Sequence, residues 1–371
     1  MSSKKGIGLI GVIGWGPIEK LSNGHFVRMY SLIEHIVSKL DAKVILIEYT
    51  EGLRSSERYS IKSFGMKNAF KIQVPGNEMR SPRILGYVRF LLYQLINTIK
   101  LRDMMKKLKL IIIGGELFAP SLLLLRLINK NSLLIADPQM LLSEREERRG
   151  NKFLSYITFV LEKLFFTKSS MVIAISEDMA KSIMQKFEYP KEKIFVVPHA
   201  LPSRLGTISY CRARSRERAI TLAFVGDLEM QHNLEAATFI IRMLPLLKKV
   251  AKKNIKLLIV GRVGEKASHL LNDLVEKLGI KKEVEMLGYV EDIDDLLCNE
   301  ADVLLAPMFT MSGVSTKMLN YLRFKDKIIV ASREAVEGLE PIVERHGNVI
   351  IASNPKDFML KLIDLVKDYG E

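Results

Sequence analysis

The sequence predicts an α/β protein made of two Rossmann-like, doubly wound domains. Short apolar runs alternate with amphipathic helical segments along the chain, and this alternation stops once, at a polar, arginine-rich segment, before it restarts. The length of 371 residues also exceeds what one ordinary core holds. Ligands of such parallel sheets bind beyond the carboxyl ends of the strands, so we expect a ligand cleft between the domains.

The first half contains five predicted strands, at residues 6–15, 43–49, 108–116, 132–137 and 170–176. An amphipathic helix at 26–40 separates the first two, and Ser176 is placed to cap the helix that follows the last. The pattern GIGLIG resembles a dinucleotide-binding loop, but it lies inside the first strand and not after it. We therefore interpret it as part of a buried strand.

The second half contains six predicted strands, at residues 219–226, 255–261, 284–290, 302–307, 327–332 and 348–353. Helical segments fill the gaps between them. The predicted organisation is an N-terminal domain at 1–203, a linker at 204–218, a C-terminal domain at 219–355 and a terminal helix at 356–371 that packs back toward the N-terminal domain.

The composition, 48% hydrophobic and 26% charged, describes a globular chain and argues against disorder. Cys211 and Cys298 form no CxxC pair, so we expect no disulfide framework and a reducing, cytoplasmic location. The longest apolar region, around 110–128, is interrupted by glycine, proline and charged residues, which argues against a transmembrane helix.

The positive charge is concentrated in the first half of the chain. Residues 1–200 carry 31 Lys and Arg against 18 Asp and Glu, a net of +13, whereas residues 201–371 carry 25 against 24. This asymmetry indicates an anionic partner, either a phospholipid surface or a phosphate-bearing substrate, and the alternative is a generally basic composition.

Residues 81–109 combine bulky apolar side chains with lysines and arginines, a pattern typical of helices that lie on anionic membranes. The chain would then be peripheral on the inner face of the membrane. The alternative is a core-facing helix with a solvated basic side. Nucleic acid is not an expected partner, because no aromatic-rich or groove-reading motif accompanies the charge.

Five segments of the second half, in order, resemble the donor domain of GT-B glycosyltransferases of the "glycosyl transferases group 1" type, a retaining family. They are the segments 224–240, 255–261, 284–297, 301–322 and 328–340. The first half matches this family less closely, at 22–36 and 169–201, and residues 50–110 match it least. The resemblance implies a GT-B fold.

The resemblance implies that the segment 313–317 holds the donor diphosphate. Gly313 and Val314 lie at the turn that would approach the phosphates, and Ser315 and Thr316 offer caps or hydrogen bonds. Lys317 adds a positive charge in the first helical turn. The alternative is an ordinary capped helix.

Two departures from the family pattern concern donor binding. The family commonly has a glutamate that holds the nucleotide ribose where this chain has Asn320, a neutral and weaker acceptor. Many relatives also have an arginine after Gly226, where this chain has Asp227. Phosphate neutralisation is therefore expected from Lys317, from the helix end, and from Arg262, which directly follows a strand, or Lys266. The alternative for Arg262 is a solvated loop arginine.

The loop that contains Tyr289 and Val290 would flank the base of the nucleotide, with Tyr289 as a stacking group. In the first half, Gly24, His25 and Arg28 match the family's glycine loop, which meets the donor phosphates and the acceptor. We therefore consider His25 as a candidate for proton transfer, the alternative being a polar loop residue.

Two further residues are candidates for positioning the acceptor hydroxyl. Asp137 ends a strand, and His199 lies just before the linker. Retaining members are thought to use the leaving phosphate as the base, so a protein base is dispensable. The acidic run at 291–295 opens a helix, which explains its charge, so no metal is expected.

The predicted function is transfer of a hexose from a UDP- or GDP-linked sugar, a co-substrate, to a glycan or lipid-linked acceptor, without a cofactor. The main alternative is a non-catalytic descendant that binds a nucleotide sugar or a glycan as a scaffold, supported by Asn320 and Asp227. A third alternative, a sugar-nucleotide epimerase, needs catalytic acids that the sequence does not supply.

Overall fold

The computed structural model describes residues 8–20, 24–40, 42–50, 52–53, 57–76, 83–148, 150–208, 211, 219–310 and 315–369, with the side chains of 83–87 and 148 left out. The chain divides into two compact units, Met1–Ser203 and Arg204–Glu371. Most of the predicted linker, and both Gly313 and Val314, lie outside the described residues.

Within its described residues, the first unit has an eight-stranded sheet in the order β3-β4-β2-β1-β5-β6-β7-β8. Neighbouring strands are parallel except β3 and β4, which are antiparallel. The strands are β1 (Leu9–Trp15), β2 (Lys43–Thr50), β3 (Ile61–Ser63), β4 (Ala69–Pro75), β5 (Leu110–Gly114), β6 (Leu133–Asp137), β7 (Met171–Ala174) and β8 (Ile194–Val196). The apolar runs of β1, β2 and β5 are almost fully buried, as expected for central parallel strands.

Helices connect these strands. They are α1 (Gly24–Lys39), α2 (Arg83–Lys100), α3 (Arg102–Met105), α4 (Ala119–Ile128), α5 (Leu142–Arg148), α6 (Lys152–Lys168) and α7 (Glu177–Phe187). The predicted cap is confirmed, because the Ser176 Oγ accepts a hydrogen bond from the Met179 N–H at 3.2 Å. In the part of the chain that the structure describes, no helix is both long and apolar enough to span a membrane.

The second unit has a parallel sheet in the order β11-β10-β9-β12-β13-β14, and it contains all six strands predicted there. The strands are β9 (Ile220–Val225), β10 (Ile255–Val260), β11 (Val284–Gly288), β12 (Val303–Ala306), β13 (Ile328–Ser332) and β14 (Val349–Ala352). The strand order reverses beside β9, which leaves the carboxyl ends of β9 and β12 as the place where a ligand binds in such a sheet.

The helices of the second unit, within its described residues, are α8 (Gln231–Val250), α9 (Glu265–Lys277), α10 (Ile293–Glu300), α11 (Thr316–Tyr321), α12 (Arg333–Val336), α13 (Glu340–His346) and α14 (Pro355–Asp368). Asp292 caps α10 by accepting a hydrogen bond from the Asp295 N–H at 3.0 Å, as the acidic run predicts. The terminal helix α14 packs against α8, β13 and β14 of its own unit.

The expectation that the cysteines are unpaired is wrong. Cys211 and Cys298 form a disulfide that joins the segment before β9 to α10. They lie 87 residues apart, and nothing in so wide a spacing shows that the fold brings them together. The pair therefore removes the argument from cysteine content for a reducing compartment.

Candidate functional site

Three strand ends of the second unit meet through backbone hydrogen bonds. The Gly226 N–H donates to the Val260 carbonyl at 2.8 Å, and the Gly261 N–H donates to the Gly288 carbonyl at 2.7 Å. These bonds join the carboxyl ends of β9, β10 and β11. The result is a closely packed edge in the position where parallel sheets bind ligands.

Glycine is required at two of these positions. Gly261 has a φ of +138°, and a Cβ built there would lie 1.9 Å from the Gly226 carbonyl oxygen. A Cβ on Gly226 would lie 2.8 Å from the Asn233 side chain. The strand ends can approach each other and α8 this closely only because neither residue has a side chain.

Lys317 points from α11 toward this edge. Its Nζ donates to Asn233 Oδ1 at 3.2 Å, lies 3.4 Å from Met308 Sδ and stands 3.5 Å from the centroid of the Phe224 ring. Asn233 in turn donates through Nδ2 to the Asp227 carbonyl at 3.0 Å. The predicted phosphate-binding lysine is thus placed beside the loop that follows β9.

Burial lowers the pKa of Lys317 well below 10.5, because desolvation disfavours the ammonium form. The residue as a whole is partly exposed, and its charged end is the part that is enclosed. The sequence suggests a lysine with a permanent positive charge at the surface. In the structure, the amine of Lys317 is instead partly removed from water, which disfavours its charged form. An anion that binds next to it would restore the charged form.

The helix that carries Lys317 is anchored at both ends. Ser315 caps it, since its Oγ accepts from the Met318 N–H at 3.3 Å, and this use occupies the hydroxyl that the sequence offered to a ligand. At the other end, the Val225 N–H donates to the Tyr321 hydroxyl at 2.9 Å. Burial raises the pKa of Tyr321, so the hydroxyl stays protonated.

Asp227, which stands where many relatives have an arginine, contacts Arg262 in the structure. Arg262 Nη2 forms an ion pair with Asp227 Oδ2 at 2.5 Å at the exposed ends of these strands. Asp227 therefore neutralises the arginine expected to bind phosphate. Tyr289 is 74% exposed and Val290 half-buried on the neighbouring loop, while Thr316 and Asn320 are half-buried on α11.

In the first unit, Arg28 and Asp137 form a buried ion pair. Arg28 Nε donates to Asp137 Oδ1 at 2.7 Å, and Nη1 donates to the Val197 carbonyl at 2.7 Å. Both side chains are almost completely buried, at 2% and 0% exposure. Arg28 and Asp137 therefore hold each other within the first unit, and the predicted contact of Arg28 with donor phosphates and positioning role of Asp137 stay predictions.

His25 is held by groups of its own unit. The Trp15 N–H donates to Nε2 at 3.1 Å, so the neutral ring carries its proton on Nδ1. Nδ1 lies 2.8 Å from Gln139 Nε2, and with a proton on Nδ1 the Gln139 amide is assigned in its flipped orientation, so that its oxygen accepts the hydrogen bond. Burial lowers the pKa of His25 to about 4. With both nitrogens engaged and the ring neutral, proton transfer by His25 is not favoured.

His199 is buried beside this cluster, and neither ring nitrogen has a hydrogen-bonding partner among the described residues. Burial lowers its pKa well below 6.5, and the nearby charge of Arg28 lowers it further. Gly24 is the first residue of α1 and directly precedes His25. The first-unit candidates therefore gather at the carboxyl edge of the sheet, mostly as buried, mutually supporting groups.

One feature near this edge was not predicted. Glu116 lies two residues after the end of β5 and is 5% exposed. Burial raises its pKa to about 8, and the neighbouring Glu162 raises it further. Glu162 accepts a hydrogen bond from the Ser143 N–H at 3.2 Å. The sequence shows Glu116 only as an interruption of an apolar run, so its burial could not be anticipated.

A further observation concerns metal ligands. Among the residues that the structure describes, no three His, Cys, Asp or Glu side chains are grouped to hold a metal ion. The sequence features that carry the site in the second unit are instead glycines, one lysine and their polar neighbours.

Comparison with known proteins agrees with the resemblance found in the sequence. The model of the family "Glycosyl transferases group 1" matches residues 219–368, which include all six strands of the second unit. A sequence search among curated proteins finds no match. The family match covers Lys317, Asn233 and the glycines of the β9–β11 edge.

Solved structures of glycosyltransferases share the fold of nearly the whole chain. Sucrose-phosphate synthase from Thermosynechococcus elongatus is 12% identical, with a TM-score of 0.70 over 98% of this chain and 92% of that one. Anabaena HepE, in complex with UDP and glucose, is 15% identical, with a TM-score of 0.64 over 97% and 90%. The lipopolysaccharide outer core galactosyltransferase WaaB is 12% identical, with a TM-score of 0.55 over 98% and 96%. The predicted GT-B fold, with two Rossmann-like domains, is confirmed.

Proposed function

We propose that this chain transfers a hexose from a UDP- or GDP-linked sugar to a glycan or lipid-linked acceptor, with retention of configuration, and the match of residues 219–368 to the glycosyl transferases group 1 model supports this proposal. The observation that carries the proposal is the placement of Lys317 against Asn233 and Phe224, beside the glycine-rich ends of β9 and β10. The complex of HepE with UDP and glucose supports a uridine nucleotide.

In the proposed reaction, Lys317 binds the diphosphate of the donor. The arriving anion stabilises the ammonium form, and the positive charge then stabilises the diphosphate as it leaves. Asn233 holds the lysine amine in place through its hydrogen bond. Asn320, on the same helix, would bind the ribose as a neutral hydrogen-bonding group.

The transfer itself needs no protein base. The bond from the sugar C1 to the leaving phosphate oxygen breaks, and a bond from C1 to the acceptor oxygen forms on the same face. The acceptor proton passes to the leaving phosphate oxygen. This step agrees with the burial and lowered pKa of His25 and His199, because it asks only for positioning and charge stabilisation.

A second candidate function is binding of a nucleotide sugar without turnover. The ion pair between Asp227 and Arg262 favours it, since it neutralises an arginine that would otherwise bind phosphate. Asn320 favours it as well, as a weaker ribose ligand than a carboxylate.

Donor hydrolysis distinguishes the two functions. The full chain is incubated with a panel of UDP- and GDP-sugars, and release of the nucleoside diphosphate is measured with and without candidate acceptors. An enzyme releases nucleotide, and Lys317→Ala lowers the rate by about a hundredfold, whereas Lys282→Ala, an exposed lysine of the same unit, leaves it unchanged. Saturable nucleotide binding without release across the panel would contradict transfer and support the second candidate.

A further inference from the structure

Helix α2 turns polar side chains toward the protein. Gln94, Asn97 and Thr98 are each at most 1% exposed on the side that faces the first unit. Gln94 Nε2 donates to the Leu117 carbonyl at 2.7 Å, and Asn97 Nδ2 donates to the Pro75 carbonyl at 3.1 Å. These buried polar side chains therefore have hydrogen-bonding partners within the protein. The inward face of an ordinary surface helix is apolar and needs no such network.

The same helix turns apolar side chains outward. Val88, Leu92, Ile96 and Ile99 are 47% to 54% exposed. Their spacing of four, four and three residues places them in one stripe along the helix. An amphipathic helix at a water-exposed surface has the opposite arrangement, with its apolar stripe inward. Within the part of the chain that the structure describes, the outer stripe of α2 therefore remains about half exposed.

Helix α6 carries a second stripe of this kind. Phe153, Tyr156, Ile157 and Val160 follow the spacing of one helical face, and Phe153 and Tyr156 are 67% and 69% exposed. Its opposite face is buried through Thr158, Glu162, Phe165 and Phe166. The stripe is therefore an outward face and is separate from the core.

The two stripes belong to one surface. Helix α4 packs against both α2 and α6, so the three helices form one contiguous layer of the first unit. Helices in one such layer bury the faces turned to the sheet, and their exposed faces point away from it. Leu127 of α4, 72% exposed, lies between them in sequence and adds to the apolar area. We call this surface the outer helix face.

Basic residues border the outer helix face. From Val88 to Lys109 the chain has six Lys and Arg and one Asp. Arg89, Lys100, Lys106 and Lys107 are all exposed. Helix α6 adds three exposed lysines, Lys152, Lys163 and Lys168, and its single carboxylate, Glu162, is buried. An exposed apolar surface bordered by one sign of charge is complementary to an anionic, amphiphilic partner.

We propose that the outer helix face docks on an anionic lipid membrane. The aliphatic stripes would enter the boundary between headgroups and acyl chains, the aromatic rings of α6 would lie at headgroup level, and the lysines and arginines would contact the phosphates. A protein partner would have to present apolar side chains bordered by acidic residues to match this surface, whereas an anionic membrane supplies both features at once. The inference goes beyond the proposed reaction, since docking requires neither donor nor acceptor.

Vesicle co-sedimentation tests the proposal with the full chain. One set of vesicles contains phosphatidylcholine alone and the other contains phosphatidylcholine with phosphatidylglycerol. We expect the protein to pellet with the second set and to be released by salt. The double variant Leu92→Gln, Ile96→Gln should weaken the partition coefficient tenfold or more. The double variant Arg89→Gln, Lys100→Gln should weaken it by about fivefold for each charge.

The matched control is Leu270→Gln, Leu360→Gln, two leucines of the second unit that are 49% and 47% exposed. This variant should pellet like the parent protein. Equal failure of the parent to pellet with both vesicle types would overturn the proposal. A dimer in analytical ultracentrifugation that the Leu92→Gln, Ile96→Gln variant dissociates would overturn it too, by showing that the partner is a second copy. Loss of nucleotide release with normal pelleting would count against the proposed reaction alone.

Discussion

The Nζ of Lys317 stands 3.5 Å from the centroid of the Phe224 ring, in a site whose desolvation lowers the pKa of the lysine well below 10.5. Between this lowered pKa and 10.5, the unfolded chain binds more protons than the folded one, so folding stability falls as the pH decreases through this window. At neutral pH the ligand-free protein bears the cost of this burial. Burial of Lys317 therefore lowers the stability of the ligand-free protein, and an anion bound next to the lysine would offset this loss.

The first prediction is that Lys317→Met stabilises the ligand-free protein and removes nucleotide binding. Methionine keeps the length of the side chain without a charge to desolvate, and after the loss of the Asn233 hydrogen bond we expect a gain of about 1 kcal/mol, or about 2–4 °C in melting temperature. A thermal-shift titration with UDP and GDP measures both effects. A variant that melts below the parent protein and still responds to UDP would contradict this account.

The second prediction concerns pH. Bound diphosphate raises the pKa of Lys317, so binding takes up a proton between the ligand-free and the ligand-bound pKa of this lysine, and in that window affinity falls as the pH rises, by up to tenfold per unit. Titration calorimetry in two buffers of different ionisation enthalpy measures the proton uptake. The pH is kept above the phosphate pKa of about 6, so that the nucleotide itself takes up no proton. Lys317→Arg, charged throughout, should show no uptake. Equal uptake by the two proteins would assign the proton to another group.

The disulfide provides the third prediction. Cys211 and Cys298 close a segment of 87 residues, and reduction should lower the free energy of unfolding by at most about 4–5 kcal/mol through the entropy of the unfolded chain. Denaturant unfolding with and without reductant measures this difference. Cys298→Ser should match the reduced parent and respond no further to reductant. Rapid alkylation of both cysteines in the native, unreduced protein would show that the bond is absent.

The strands were predictable where the sequence has continuous apolar runs, because central parallel strands are buried on both faces. The four inner strands of the second unit, β10, β9, β12 and β13, follow this rule, and the edge strands β11 and β14, which are less buried, still have apolar runs. Three strands escaped prediction in the first unit: β3 and β8 have three residues each, and β4 exposes Phe70, so none of them has a continuous buried run to reveal it. Short edge strands are defined by their pairing, which sequence periodicity does not show.

The position of Lys317 was predictable from the sequence, but its environment was not. Phe224 and Met308 border it from two different strand ends, and they are separated by 84 residues along the chain. The same limit applies to Arg28, which lies near the glycine loop in sequence but is bonded to Asp137 across the sheet. Local patterns identify which residues lie at the strand ends, whereas tertiary packing decides which of them are enclosed.

The fourth prediction concerns Glu116, whose pKa is raised to about 8 by burial. A carboxyl group with a raised folded pKa contributes stability below its unfolded pKa of 4.5 and loses it as the pH rises through 8. Relative to Glu116→Gln, the parent should lose at most about 5 kcal/mol between these limits. Urea unfolding of both proteins at acidic and alkaline pH measures the change. Glu147→Gln, at an exposed site, should remain parallel to the parent, and a parallel Glu116→Gln profile would contradict the buried acid.

The fifth prediction uses two glycines of the second unit that have positive φ. An alanine Cβ at position 261 would meet the Gly226 carbonyl oxygen at 1.9 Å, so Gly261→Ala should separate the ends of β9 and β10 and cost about 3 kcal/mol or more. At Gly279 the φ is +65° with no atom within 4 Å, and Gly279→Ala should cost only about 1 kcal/mol of backbone strain. Urea unfolding measures both costs, and UDP binding should weaken in the first variant alone. Equal destabilisation by the two variants would mean that the close approach of the strand ends does not hold the site together.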